Sequence, residues 1–403
     1  MNRFRFGLSA VLASVGALLA AVPASAASGV VGHVYVNDNT GGVNTIGAFD
    51  RHADGTLTPM RGSPFAAGGV GTGEGLASQG SLQRSSDGRF LLAADAGSNQ
   101  ISVLRIKSDG SLKAVGGGPV SSNGVNPVSI AVRGDLVYVA NAGTATSIGG
   151  TNYTGFTLDR AGHLRPLAGS TVTLPDASQP GDVLFSPDGG KLVGTRVGTS
   201  LIDSFTVRRD GRLTAAPGSP FVAQGIGPFG SEFRPTNPGQ LYVTNAHNVG
   251  AGTGTVSAFA VGADGALSSI GASPFPNHQT APCWVEISHD GRYLFAVNTA
   301  SGSISSYAVA TGGSLTLLQS TPITAAGTPE DARLSPDGTT LWVVDPTADA
   351  ISGFTVNGGN LTELPTSPTP APVGAAPAGI VVTGARWRAK PHHRSAAASR
   401  QNG

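Results

Sequence analysis

The segment APCWVEISHDGRYLFAVN, residues 281–298, contains the unit from which most of the chain is built. A short apolar run follows Pro282, the turn Ser288-His289-Asp290-Gly291 interrupts it, and a second apolar run begins at Tyr293. Aspartate stabilises the backbone of a turn through its side chain, and glycine adopts the positive φ that closes a hairpin. The segment therefore predicts two neighbouring antiparallel strands joined by a tight turn.

Equivalent turns elsewhere show that this unit is a repeat. They are Ser85-Ser86-Asp87-Gly88, Ser186-Pro187-Asp188-Gly189 and Ser335-Pro336-Asp337-Gly338. Farther along each repeat, a third strand carries one large residue at a matching place: Phe49, Leu104, Phe156, Phe205, Phe259, Tyr307 and Phe354. A second turn, of the Asp-Gly or Gly-Gly type, follows in most repeats, and a fourth strand then runs to a Ser-Pro-Phe sequence in three of them.

Four short strands in about 40–50 residues, repeated with glycine-rich turns, are typical of a propeller blade. The first repeat lacks its opening strand, because the apolar run 33–36 already corresponds to the second strand. The run 378–382 at the other end supplies the missing strand and closes the ring, which removes the exposed sheet edge. We therefore predict an all-β, seven-bladed β-propeller of four-stranded antiparallel blades over residues 27–384.

Both ends of the chain differ from the repeats. Arg3 and Arg5, the apolar run 8–22 and Ala24-Ser25-Ala26 have the order of a secretory signal. We therefore expect residues 1–26 to be removed on export, to the periplasm or beyond the cell, with no membrane span afterwards. The basic segment 385–403 is predicted to be a disordered tail.

Charge and cysteine content narrow the range of functions. Seven of the 25 Lys and Arg residues lie in the first six residues or from Arg386 onward, which leaves 18 bases against 24 acids in the body. A mildly acidic body disfavours nucleic-acid binding. The single cysteine, Cys283, allows no internal disulfide, so a large core must hold the fold. No spacing of His, Cys, Asp or Glu residues matches a metal site, so we expect neither a metal nor a cofactor. We also expect the protein to be a monomer.

The innermost strand of each blade lines the channel of a propeller, and here a proline opens most of these strands. Alternation along the strands places apolar residues on one side and polar residues on the other. The polar side carries Asp182, Glu232, Trp284, Glu286, Asp331 and Arg333. Clustered buried charges often mark functional sites. The alternative is that they pair with one another or are solvated in a wet channel.

Loops at the channel supply further candidates. Glu74 and Gln79 lie in a glycine-rich approach to blade two and are candidate ligand-binding residues. Arg196 stands where other blades carry Asn or Asp; it either holds a carboxylate or an oxyanion, or pairs with a neighbouring blade. His247 is either a general base or a surface histidine. Arg84 occupies a place that is apolar in other blades, and the sequence offers no explanation for it.

The repeats resemble the lactonase-type seven-bladed propellers, which include bacterial 6-phosphogluconolactonase and are similar in fold to fungal carboxymuconate cyclases. The segments 281–298 and 328–338 carry the resemblance, which spans about residues 33–384. The family typically opens blade five with Pro-Arg-His and blade seven with Pro-Arg, whereas this chain has Pro228-Phe229-Gly230 and Pro329-Glu330. The resemblance implies lactone chemistry, and these departures disfavour a phosphorylated sugar lactone as the substrate.

Two functions of different classes follow. The first is metal-free hydrolysis of a lactone or other cyclic ester, with Glu286 or Glu232 as the general base and Arg196 or Arg333 stabilising the oxyanion. The second is a non-catalytic propeller that binds a small sugar-like ligand, a glycan or a protein partner. A cycloisomerase-like activity is a third hypothesis, which rests on fold similarity alone.

Overall fold

Seven antiparallel sheets, arranged as blades around a central channel, form the fold in the computed structural model, which describes residues 29–144 and 146–384. The predicted signal segment 1–26 and the predicted tail 385–403 lie outside the described residues. Among the described residues, helical structure is limited to 3₁₀ turns at Ala96–Ser98, Asp176–Ser178 and Val197–Thr199. Within the described ranges, no helix has the length and apolar character needed to cross a membrane.

The first three blades are built from the following strands. Blade one contains β1 (Val30–Asn37), β2 (Val43–His52), β3 (Leu57–Pro59), β4 (Phe65–Val70) and, from the other end of the propeller, β34 (Gly379–Gly384). Blade two contains β5 (Leu82–Arg84), β6 (Phe90–Asp95), β7 (Gln100–Ile106), β8 (Leu112–Ala114) and β9 (Val120–Ser121). Blade three contains β10 (Pro127–Arg133), β11 (Leu136–Asn141), β12 (Asn152–Leu158), β13 (Leu164–Pro166) and β14 (Val172–Thr173).

The other four blades follow in chain order. Blade four contains β15 (Pro180–Phe185), β16 (Lys191–Arg196), β17 (Leu201–Val207), β18 (Leu213–Ala215) and β19 (Phe221–Val222). Blade five contains β20 (Pro228–Arg234), β21 (Asn237–Asn245), β22 (Thr255–Val261), β23 (Leu267–Ser269) and β24 (Phe275–Pro276). Blade six contains β25 (Pro282–Ile287), β26 (Tyr293–Asn298), β27 (Ser303–Val309) and β28 (Leu315–Pro322). Blade seven contains β29 (Ala332–Leu334), β30 (Thr340–Asp345), β31 (Ala350–Asn357), β32 (Asn360–Glu363) and β33 (Thr369–Pro370).

The last strand closes the ring, as predicted. β34 pairs antiparallel with β1, with Val382 opposite Val34 and Val381 opposite Tyr35. Blade one is therefore made from both ends of the propeller, so that its innermost strand comes from the end of the chain. This pairing hides the edge that an open array of blades would leave unpaired.

The large residue predicted in each third strand belongs to the core. All seven are at most 4% exposed, and each pairs with an apolar residue of the second strand, as Phe49 does with Val34 and Phe354 with Leu341. The cores lie between neighbouring blades: Phe90 of blade two, for example, packs in one cluster with Val137 of blade three. Burying a side chain of this size stabilises the fold by about 1.5–3 kcal/mol.

Tyrosines on the second strands link alternate pairs of blades. The Tyr35 hydroxyl donates to the Gly110 carbonyl at 2.7 Å, and the Tyr138 hydroxyl donates to the Gly211 carbonyl at 2.9 Å. Each bond joins one blade to an outer turn of the next. The packed interfaces and these bonds hold the ring together without a disulfide.

The prediction that the fourth strand runs to Ser-Pro-Phe is wrong. In blade one, β3 ends at Pro59, a turn follows, and a separate short strand, β4, begins at Phe65 and also pairs with β2. The Ser63 hydroxyl accepts a hydrogen bond from the Ala48 backbone N–H at 2.8 Å. The serine hydroxyl thus provides a hydrogen-bond acceptor for a backbone N–H of the third strand, at the point where the neighbouring strand is interrupted.

Candidate functional site

The innermost strands give the channel two distinct ends. These strands begin near the prolines and finish in the Ser-x-Asp-Gly turns, so we call the two ends the proline mouth and the turn mouth. Glu232, Glu286 and Arg333 occupy the same register position in blades five, six and seven, opposite Tyr242, Phe295 and Trp342. In blade six this position is four residues beyond Pro282, or about 13 Å along the strand toward the turn mouth.

A pocket of about 330 Å³ lies at the turn mouth, where these three side chains meet. Arg84 and Gln83 of blade two line it as well, and His289 stands at its rim. The structure thus brings together three of the predicted catalytic residues and adds two cationic or titratable groups that the sequence analysis did not assign to a site. The volume is in the range of small-molecule sites.

Glu286 and Arg333 form the fixed part of the turn-mouth pocket. The Arg333 Nη1 atom donates to Glu286 Oε2 at 2.9 Å, and the Leu334 backbone N–H donates to Glu286 Oε1 at 3.2 Å. The Glu286 side chain is 8% exposed and the Arg333 side chain 25% exposed. Surrounding carboxylates, Glu286 foremost, outweigh burial and raise the pKa of Arg333. Arg333 therefore carries a permanent positive charge next to the pocket.

Glu232 is the carboxyl group of the pocket that is suited to exchange a proton. It is half-buried, and its carboxyl group makes no hydrogen bond to any residue that the structure describes. Burial and, next, the negative charge of Glu286 raise the pKa of Glu232 well above its usual value, whereas Arg333 acts against this shift. A carboxyl group with a raised pKa takes up and returns a proton more readily than an ordinary surface glutamate.

Arg84 supplies a second positive charge to the pocket. Its side chain is half-buried, its Nε atom donates to the Gly88 carbonyl at 3.3 Å, and none of the described carboxylates forms an ion pair with it. Burial is the main cause that lowers the pKa of Arg84, although an arginine stays charged. Its terminal amino groups are therefore available to an anionic ligand or oxyanion. The sequence marks Arg84 as unusual, since it replaces a residue that is apolar in other blades, but only the fold shows that Arg84 lines this pocket.

The proline half of the channel is filled by the connection between blades one and two. We call residues 76–80 the channel plug. Gln79 bridges two blades: its Nε2 donates to the Ser231 carbonyl at 2.9 Å, and its Oε1 accepts from the Val285 N–H at 3.0 Å. Its backbone N–H bonds the Gly181 carbonyl of a third blade. Gln79 is thus a structural bridge inside the channel.

Trp284 and the buried Asp331 hold the same plug, and the buried Asp182 bonds Ser231 of blade five. The Trp284 Nε1–H donates to the Ser78 carbonyl at 2.8 Å, and Asp331 accepts from the Gly80 N–H at 3.2 Å. Asp182 accepts from the Ser231 hydroxyl at 2.6 Å and from its backbone N–H at 2.9 Å. Burial raises the pKa of Asp182 to about 7 and that of Asp331 to about 6. These three residues belong to the channel interior and do not line the turn-mouth pocket.

The remaining predicted site residues lie at the proline mouth. Arg196 forms a bidentate pair with Asp203, with Nε–Oδ2 and Nη2–Oδ1 distances of 2.6 Å. Asp203 belongs to β17 of the same blade, so the expected pairing with a neighbouring blade is wrong. His247 and Glu74 are exposed at this end and line no part of the turn-mouth pocket. The structure therefore does not bring Arg196, His247 or Glu74 to Glu286.

The sequence and the fold match known proteins. Residues 40–149 and 168–376 match the family model described as "Lactonase, 7-bladed beta-propeller". A search of curated proteins finds no match. Among solved structures, a candidate 6-phosphogluconolactonase of Bacteroides uniformis is similar at 23% identity and a TM-score of 0.69, covering 88% of this chain and 100% of that one. The periplasmic gluconolactonase of Pseudomonas aeruginosa has 18% identity and a TM-score of 0.66, covering 87% and 99%. Identities this low show a shared fold.

Proposed function

Because this chain belongs to the lactonase family of seven-bladed β-propellers, we propose that it hydrolyses a lactone in the turn-mouth pocket. One observation carries the proposal: an unpaired carboxyl group, Glu232, shares a small pocket with the guanidinium groups of Arg84 and Arg333. A base and cationic oxyanion stabilisers are the two components that metal-free ester hydrolysis requires.

In the proposed reaction, Glu232 removes a proton from a water molecule as the water oxygen bonds to the lactone carbonyl carbon. The carbonyl oxygen becomes an oxyanion, which the amino groups of Arg84 stabilise. The ring C–O bond then breaks, and protonated Glu232 returns the proton to the leaving alkoxide. The products are the open hydroxy acid and the original enzyme. Glu286 holds Arg333 in place, because both of its oxygens already accept hydrogen bonds.

The pocket also limits the substrate. A volume of about 330 Å³ suits a monocyclic lactone with small substituents. The channel plug fills the proline half, so substrate and product pass through the turn mouth. Among the relatives by fold is a periplasmic gluconolactonase. Together with the signal-like N-terminus, this supports action on an extracytoplasmic lactone.

The test uses the purified mature protein with a panel of plain and phosphorylated lactones, each assayed with and without a chelator. We expect turnover that persists after chelation and falls at least 100-fold in Glu232→Gln. The control variant is Glu74→Gln, because Glu74 is an exposed glutamate at the opposite mouth. Full activity in Glu232→Gln contradicts the assignment of the base.

The non-catalytic alternative makes a different prediction in the same assay. If no lactone is turned over but a hydroxy acid or lactone binds saturably, and Arg84→Met abolishes this binding, the pocket is a ligand-binding site. Arg84 favours this second function as well, since none of the described carboxylates pairs with it and its amino groups are available to an anionic ligand in either case.

A further inference from the structure

A second cavity system lies on the outer rim, away from the channel. Two adjoining cavities of about 290 and 190 Å³ share Val115, Gly116 and His163, and together they form a continuous groove. One wall is the outer strand β8 and the loop after it in blade two. The other wall is the β12–β13 turn of blade three. We call this feature the interblade groove.

The interblade groove is basic within an acidic body. Arg105, Lys113 and Arg165 line it together with His163, and no Asp or Glu is among the described residues that line it. Asp159, on the adjoining turn, pairs with His163 at 3.0 Å, so the two arginines and Lys113 supply the positive charge of the groove. The body of the chain has six more acids than bases, 24 against 18. A cationic groove on such a surface attracts an anionic partner selectively.

The cationic side chains of the groove differ in whether they already have hydrogen-bond or ion-pair partners. Arg105 donates to the Ala161 carbonyl at 2.9 Å and lies over the Phe90 ring, so it is fixed. The Lys113 ammonium makes no hydrogen bond or ion pair with a described residue. Arg165 is 70% exposed, with Asp159 4.0 Å away. Lys113 on one wall therefore has no partner among the described residues, and Arg165 on the other wall has only a long, exposed ion pair with Asp159.

The floor of the groove is apolar, and one of its walls is a strand with an unpaired edge. Val103, Val120 and Leu164 contribute to the floor, and a side chain added at Gly117 would meet nothing within 4 Å. The outermost strand β8 pairs with β7 on one side only. A strand edge beside an apolar floor accepts an extended peptide through backbone hydrogen bonds.

We propose that the interblade groove binds an extended acidic peptide of a partner protein. The peptide backbone extends the sheet at β8, and the acidic side chains on one face of the peptide pair with Lys113 and Arg165 while their methylene groups lie over the valine floor. An acidic polysaccharide is disfavoured, because the described lining offers no Phe, Tyr or Trp ring and no amide or hydroxyl side chain. This proposal is independent of the lactone chemistry.

The experiment measures fluorescence anisotropy of a labelled decapeptide of alternating Glu and Val with the mature protein. We expect micromolar binding that weakens as salt rises, because the charges are exposed. The double variant Lys113→Glu/Arg165→Glu should bind at least tenfold more weakly. Arg209→Glu, an exposed arginine on a turn of blade four, is the matched control and should change binding less than twofold.

Three results would overturn the proposal. They are absence of peptide binding, equal binding by the double variant, and tighter binding of polygalacturonate than of the peptide at the same groove. Far-UV circular dichroism of each variant checks the fold. Lactone turnover by the double variant should equal that of the unaltered protein, so failure here is distinct from failure of the turn-mouth pocket.

Discussion

Arg333 and Glu286 lie on neighbouring innermost strands and form a 2.9 Å ion pair in the wall of the turn-mouth pocket. Because Glu286 is committed to this pair and to the Leu334 N–H, Glu232 is the carboxyl group that remains for the proposed proton transfer. The pair therefore separates the roles of two glutamates at equivalent positions in adjacent blades.

Removing the cation from this pair should destabilise the protein. Arg333→Met leaves the nearly buried Glu286 carboxylate without its charged partner. Breaking a fully buried pair costs about 3–5 kcal/mol, and the loss here should be smaller, because the Arg333 side chain is 25% exposed. The double variant Glu286→Gln/Arg333→Met should recover part of the loss. Urea unfolding of both variants measures this, and equal stability of the single and double variants would contradict the pairing.

The activity of the proposed enzyme should rise with pH through the pKa of Glu232, because only the deprotonated form accepts a proton from water. Burial and Glu286 raise that pKa, so the acid limb of kcat/KM should lie above the usual range of a glutamate. Glu286→Gln removes one negative charge and should move the limb to lower pH. Glu74→Gln, a change at the other mouth, should leave the acid limb of kcat/KM where it is. An acid limb that shifts in neither variant argues against Glu232 as the base.

The channel plug should depend on Gln79. Gln79→Ala removes the bonds to the Ser231 carbonyl and the Val285 N–H and leaves both buried groups unpaired, at a cost of about 1–3 kcal/mol each. We expect a lower Tm and faster proteolysis within residues 76–80, measured by calorimetry and by mass mapping of the fragments. Glu74→Ala, on the exposed part of the same connection, should change neither.

Export should be visible as cleavage near Ala27. The charged start, the apolar run and Ala24-Ser25-Ala26 predict that the secreted protein lacks residues 1–26. Intact mass measurement of the protein recovered from the periplasm or the medium tests this. Ala24→Arg should block cleavage, because signal peptidase requires a small residue there, whereas a protein that stays in the cytoplasm at full length contradicts the expectation.

The sequence predicts the fold well because propeller blades repeat. A large residue equivalent to Phe49 recurs in every blade with the same strand register. The pattern of one blade therefore predicts the other six. Ring closure follows from the surplus strand at the chain's end. The ends of the fourth strands were missed, because the Ser63 hydroxyl replaces a strand hydrogen bond and no propensity signals that exchange.

The site was predictable only in part. Alternation along the inner strands placed Glu232, Glu286 and Arg333 on one side, and their shared register brings them together. The partner of Arg196 is not predictable in this way, because Asp203 lies on the adjacent strand of the same blade and the sequence does not show which way an arginine side chain turns. The channel plug was not foreseen, since a loop that crosses the axis contacts residues far away in the chain, as Gln79 contacts Ser231.

The buried aspartates of the channel should make the fold less stable as pH rises. Burial raises the pKa of Asp182 from 3.8 to about 7, so between these values the folded protein holds a proton that the unfolded chain has released. Stability must then fall with rising pH, by about 1.4 kcal/mol per unit for such a group. Asp331, with a pKa raised to about 6, acts in the same direction up to that pH.

Asp182→Asn tests this dependence, because asparagine keeps the size and one acceptor for the Ser231 donors but has no charge to bury. Urea unfolding at pH 4.5 and pH 7.5 should show a smaller decline for the variant than for the unaltered protein. Asp264→Asn, an exposed turn acid, is the control and should keep the original decline. A decline that is the same in Asp182→Asn means that Asp182 is ionised throughout, with its charge fully compensated by Ser231 and Ser129.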